Sequence, residues 1–126
     1  MGTLIPKRAD YVQAVRRYHA ATPLHAHFGI ELTDISPGCV RVRMPSRGEF
    51  TQQNGYLQAG VLVSLADAAA GMAAWTLLAE DENLLSVNIT VQLMRAADGK
   101  GFVAEGRVVR AGSRLMFCEA EGVGGG

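Results

Sequence analysis

From Ala59 to Ala79 the chain reads AGVLVSLADAAAGMAAWTLLA, and Asp67 is the only ionisable side chain in that run. The stretch is long enough for about five to six helical turns at 1.5 Å per residue. It is apolar on nearly every face, as a helix enclosed by other structure would be. A carboxylate there costs free energy unless it is hydrogen-bonded, paired or neutral. Catalysis is the leading reason for keeping it; a buried aspartate bonded to neighbouring backbone is the bland alternative.

A run of some 20 apolar residues could also cross a hydrocarbon core. Asp67 near its middle, the lack of Lys or Arg close to either end and strand-like sequence on both sides argue against a membrane span. The start, MGTLIPKRAD, has no apolar run of the signal-peptide kind. A cytoplasmic protein is expected. The 126 residues suit one domain with a real core, and 12 basic against 12 acidic residues leave no net field for nucleic acid. Cys39 and Cys118 are too few for a disulfide framework or a zinc site, and read as buried reduced thiols. His19, His25 and His27 lie close together without an acidic or Cys ligand nearby, so they read as loop or surface histidines and no metal is expected.

Residues 10–21 place Tyr11, Val15 and Tyr18 at helical spacing, with Asp10 as a candidate N-cap and Pro23 just beyond the end. From Phe28 to Met44 the pattern turns extended and breaks at Ser36-Pro37-Gly38, which marks a β-hairpin. A polar loop, 45–56, leads to the long helix, and Asn54 and Gly55 suit positive φ. After the helix, Glu80-Asp81-Glu82-Asn83 is a solvated break. Then Leu85, Val87, Ile89, Val91 and Leu93 alternate with Ser86, Asn88, Thr90, Gln92 and Met94, as in a strand with one core face. Two more strands follow, Phe102 to Arg110 and Leu115 to about Glu121, joined by Ala111-Gly112-Ser113. Strands on both sides of one apolar helix predict an α+β layout, an antiparallel sheet curled around that helix.

Ester or thioester hydrolysis needs donors near the developing oxyanion and a base within reach of the attacking water. The free N–H groups that open the long helix, around Gln58, Ala59 and Gly60, meet the first need, aided by the helix dipole. Asp67 could meet the second. It lies eight residues on from Ala59, roughly 12 Å along the axis, so one acyl carbon cannot approach both on the same helix. Two such helices packed antiparallel about a two-fold axis would bring the tip of one to the middle of the other. The mechanism therefore implies an obligate homodimer with two composite sites; whether two dimers join further is open.

The run QQNGYLQAGVLVSLADAAAGMAA, residues 52–74, resembles the helix signature of PaaI-like hotdog-fold thioesterases. That signature is an Asn or Gln, a Gly, a His-Gly-Gly or His-Ala-Gly, and then Leu-Ala-Asp. Leu65-Ala66-Asp67 matches the triplet, Gly55 the single glycine and Gln52 the polar position, while SVNITVQLMRAA, residues 86–97, resembles the strand that follows. The resemblance covers roughly residues 27–121. It implies a hotdog domain over 24–123, preceded by an N-terminal segment 1–23 with a short helix and followed by a flexible glycine tail, 124–126.

The resemblance further implies an acyl-CoA thioesterase in which Asp67 is general base or nucleophile. The Ala59 amide, beside Gly60, would be the oxyanion donor, Gln52 would orient the carbonyl or water, and Ser86 would hold water against Asp67. No cofactor is called for, the coenzyme A thioester being the substrate. Three departures stand out: Gln58 occupies the usual histidine position, Ala96 a usual proline, and relatives have one strand beyond the fifth. Coenzyme A carries phosphates, so Arg95, Lys100, Arg110 and Arg114, which flank turns, are candidate contacts along with Asn54 and Gly55. The competing class is a non-catalytic acyl-CoA-binding hotdog protein, a sensor or accessory subunit. A hotdog dehydratase is disfavoured, because no histidine lies on or near the helix.

Overall fold

The computed structural model describes residues 4–90, 92 and 101–125. Helix α1 spans Tyr11–Ala21 and buries Ala14 and Val15. Asp10 precedes it without capping it: its carboxylate accepts instead from Arg8 at 2.6 and 2.8 Å. Pro23 forces Thr22 into extended backbone and then opens a second helix, α2, Pro23–Phe28. Gly29, at φ 69°, ends α2 in the left-handed conformation that glycine adopts without penalty. This short helix lies where the sequence suggested loop and the first extended residues. It carries His25 inward, so that residue is buried rather than at the surface.

Four antiparallel strands follow in the order β1-β2-β3-β4: Glu31–Ser36, Cys39–Pro45, Gly101–Ala111 and Met116–Gly125. Their period-two patterns sort side chains cleanly. Val40, Val42 and Met44 of β2 and Phe102, Ala104 and Val108 of β3 are buried on the inner face. On the outer face Arg41 reaches Glu105 at 2.7 Å, Arg107 reaches Glu105 and Glu119 at 2.9 and 3.0 Å, and Arg43 reaches Glu31 at 2.8 Å. Exposed pairs of this kind stabilise little individually, but they mark that face as polar.

Helix α3, Ala59–Trp75, packs on the inner face through Leu65, Ala69, Met72 and Ala73, each with no exposed surface. The contact is close because β3 carries Gly106 opposite the helix: a Cβ there would collide with the Ala69 carbonyl. The helix stops four residues short of the apolar run's end. At Thr76, fully buried, the hydroxyl donates to the Ala73 carbonyl at 2.6 Å and accepts the Gly38 amide at 2.8 Å, tying the helix end to the β1–β2 turn. Glu82 then accepts from the Ala79 amide and from Lys7, fastening the reversal that follows.

Three further expectations change. Residues 84–90 form no strand and join no ladder among the described residues, and Leu85, Val87 and Ile89 are 84, 77 and 51% exposed. Alternation reports which residues share a face, but burying that face takes a neighbour, and no described residue supplies one. Strand β4 runs to Gly125, so Gly124 and Gly125, read as flexible tail, pair with Phe102 and Gly101. Cys39 and Cys118 are free and only half-buried. No described helix is long and apolar enough to cross a membrane.

Candidate active site

One face of α3 is covered by the sheet and another by α1; the third opens onto a cleft of about 1130 Å³ bounded by residues 82–90 and β4. Asp67 lies on this open face and is exposed, whereas the sequence pointed to an enclosed position. The reversal after α3 sends the chain back past the helix and brings Ser86 alongside. Its hydroxyl donates to Asp67 Oδ1 at 2.8 Å. Asn88 and Thr90 also line the cleft, as do Leu85, Val87 and Ile89. Neither Asn88 nor Thr90 was singled out from the sequence, though the alternation there already placed them on the face of Ser86.

The other predicted residues gather at the opposite end of the helix. Gln58 is the N-cap of α3: its side-chain oxygen accepts the Gly60 amide at 2.6 Å, and its carbonyl accepts from Val61 and Leu62. Gly60 therefore has no N–H left for a ligand. Among the described residues the Ala59 amide has no partner. Gln52 organises the approach: its side-chain oxygen accepts the amides of Asn54 and Tyr56 at 2.6 and 3.3 Å, around Gly55 at φ 85°. Among the candidate basic contacts, Arg114 lines the cleft and Arg110 does not. Arg95 and Lys100 lie outside the described residues, as does Ala96.

A single chain thus holds two half-sites, Asp67 with Ser86 and the Ala59 amide with its cap, separated by roughly 12 Å of helix. Residues 54–125 match the family model described as Thioesterase superfamily. The chain belongs to the thioesterase superfamily. A thioesterase family protein from Silicibacter pomeroyi is 34% identical, with a TM-score of 0.87 over 89% of this chain and 82% of that one. A conserved protein from Pseudomonas aeruginosa, 24% identical, shares the fold at a TM-score of 0.80 over 86 and 87% of the two chains. So does the PaaI protein of the Escherichia coli phenylacetic acid degradation operon, 16% identical, at 0.71 over 89% of each. The sheet packed on one long helix is the hotdog fold of these thioesterases, and membership supports thioester hydrolysis as the site's general chemistry.

In this thioesterase the carboxylate of Asp67 also acts on the side of α3 covered by α1. Burial pushes the Tyr18 phenol up, and the Asp67 charge adds to it. Burial and His19 push His25 down while Asp67 opposes them. Tyr18 stacks on Trp75 with ring centroids 4.7 Å apart and meets His25 edge-on at 6.0 Å. The aspartate therefore stands between the open cleft and an aromatic, histidine-bearing layer.

Proposed function

We propose that the chain hydrolyses an acyl- or aryl-acyl-CoA to the free acid and CoA at composite sites in a homodimer. The contact between Ser86 and Asp67 carries this reading. It sets a hydroxyl against a carboxylate on the open face of α3, where a water bound to both can be deprotonated as it attacks a carbonyl. The thioester carbonyl oxygen would sit at the Ala59 amide, where the helix N-terminus favours developing negative charge. Water adds to the carbonyl carbon, Asp67 of the partner subunit takes its proton, and the tetrahedral intermediate collapses with loss of the CoA thiolate. Direct attack by the carboxylate, giving a mixed anhydride that water then opens, uses the same geometry. The residues in place need no metal or redox cofactor for either route.

The dimer rests on two observations. The half-sites are too far apart along one helix to act on the same carbonyl, and a helix packed antiparallel against its copy would join them. The exposed row Leu85, Val87 and Ile89, which pairs with no strand among the described residues, is an apolar surface for a second copy to cover. Arg114 at the cleft suits a CoA phosphate.

The test is a thiol-release assay across short-chain, long-chain and aromatic acyl-CoAs, comparing wild type with Asp67→Asn. Hydrolysis is expected, with a loss of roughly two or more orders of magnitude in the variant. Equal rates would remove Asp67 from the mechanism. Tight binding of an acyl-CoA without turnover would establish the non-catalytic alternative. A monomeric mass in solution under assay conditions, with full activity, would dismiss the composite site.

A further inference from the structure

The joint between α1 and α2 holds an arrangement the hydrolytic site does not use. His19 and His25 face each other with Nδ1 to Nδ1 at 2.9 Å, and His25 is only 5% exposed. At that distance one ring donates and the other accepts. The contact therefore survives with both rings neutral, and with one charged, but not with both. Two imidazolium rings would present N–H to N–H in a site with little water to screen them.

What this contact holds in place is specific. His25 anchors α2 beneath Tyr18, whose ring stacks on Trp75 at the C-terminal end of α3, two turns beyond Asp67. Thr22, between the two histidines, donates to the Tyr18 carbonyl at 2.7 Å and so fixes the bend between the helices. Helix α1 covers one side of α3, and its junction with α2 depends on a histidine pair that is not doubly charged.

We propose that the His19–His25 pair is a proton-operated clasp, closed until both rings carry a proton, that seats α1 and the bend into α2 against the C-terminal half of α3 and releases them in acid. The clasp is independent of which thioester the site takes. Among the described residues the groups that face it are few. His25 meets His19 and Tyr18 of α1 and feels the carboxylate of Asp67 from α3; His19 also meets the backbone of Ile30. Desolvation outweighs the help from Asp67 and Ile30, so both imidazoles are held below their ordinary 6.5. The sign follows. A released histidine binds protons more readily than a clasped one, so the clasp contributes in full above 6.5 and weakens as pH falls below it toward the lowered values.

Hydrogen exchange of residues 11–28 in the full chain, corrected for the intrinsic pH dependence of exchange, reads the opening directly. Emission from Trp75, the sole tryptophan, reads the loss of the Tyr18 stack. Uptake of one proton raises an opening constant about tenfold per pH unit, and two protons raise it more steeply. Between pH 6.5 and 5 the wild type is expected to open more steeply than tenfold per unit while β2 and β3 stay protected. His25→Asn tests the buried partner. Should it fail to fold, His19→Asn, at the half-exposed position, keeps a hydrogen-bonding group and removes one proton, leaving a slope no steeper than tenfold. Equal slopes in wild type and His19→Asn, no pH dependence in wild type, or opening of the layer only together with the sheet would each overturn the clasp.

Discussion

The Ser86 hydroxyl donates to Asp67 Oδ1 at 2.8 Å across 19 residues of chain. One lies on an irregular segment and the other on a helix, and only the reversal after Trp75 makes them neighbours.

If that contact aligns the attacking water, Ser86→Ala should lower kcat by roughly ten- to a hundredfold, less than Asp67→Asn. The two losses should not multiply in the double variant, because each removes the same positioned water. Steady-state thiol release on the four proteins checks this. Fully multiplicative losses would show that the hydroxyl acts apart from the carboxylate.

Gln58 caps α3 through its side chain, which accepts the Gly60 amide at 2.6 Å. Gln58→Ala should cost about 1 kcal/mol of stability, read by urea unfolding, as the loss of other helix caps does. It should also free the Gly60 amide beside Ala59. A variant as stable as wild type would mean that water replaces the cap without cost.

Thr76 is buried, with its hydroxyl bonded both to the Gly38 amide and to the Ala73 carbonyl. Thr76→Val keeps the shape and leaves the Gly38 N–H without its acceptor, an expected loss of about 1–3 kcal/mol. Thr76→Ser retains both bonds and should stay closer to wild type. Denaturant midpoints of the three proteins at one pH distinguish the outcomes, and equal loss in both variants would assign the effect to packing.

Gly106 permits α3 to lie against β3, since any Cβ there meets the Ala69 carbonyl. Gly106→Ala must push helix and sheet apart, and is expected to destabilise the chain by about 1–3 kcal/mol, in the range of other overpacked cores. Thermal unfolding measures it. An unchanged midpoint would mean that the layers separate freely.

Much of this could be read from the residues in order. The alternation of Val40, Val42 and Met44 with Arg41 and Arg43 gave β2 and its buried face, and Ser36-Pro37-Gly38 gave the turn into it. The run after Gln58 gave the central helix and Asp67 its prominence. Local periodicity reports these because it follows from backbone geometry alone. The helix end was misplaced because Thr76 is held by Gly38, 38 residues away, a partner that no local pattern announces. His25 was misplaced for a similar reason: α2 is a six-residue helix set by the Thr22-Pro23 break and Gly29, too short to show a period.

The sequence by itself determined the strand faces, the hairpin, the helix that carries Asp67 and the residue types needed for hydrolysis, since spacing along the backbone decides which side chains share a side. The place of Ser86 beside Asp67 came from the family resemblance and not from local spacing, while tertiary structure decided that Gln58 occupies the Gly60 amide and leaves the one on Ala59, and that two histidines meet where α1 bends into α2. Those depend on chain reversals and layer packing, which bring together groups that local backbone geometry leaves far apart.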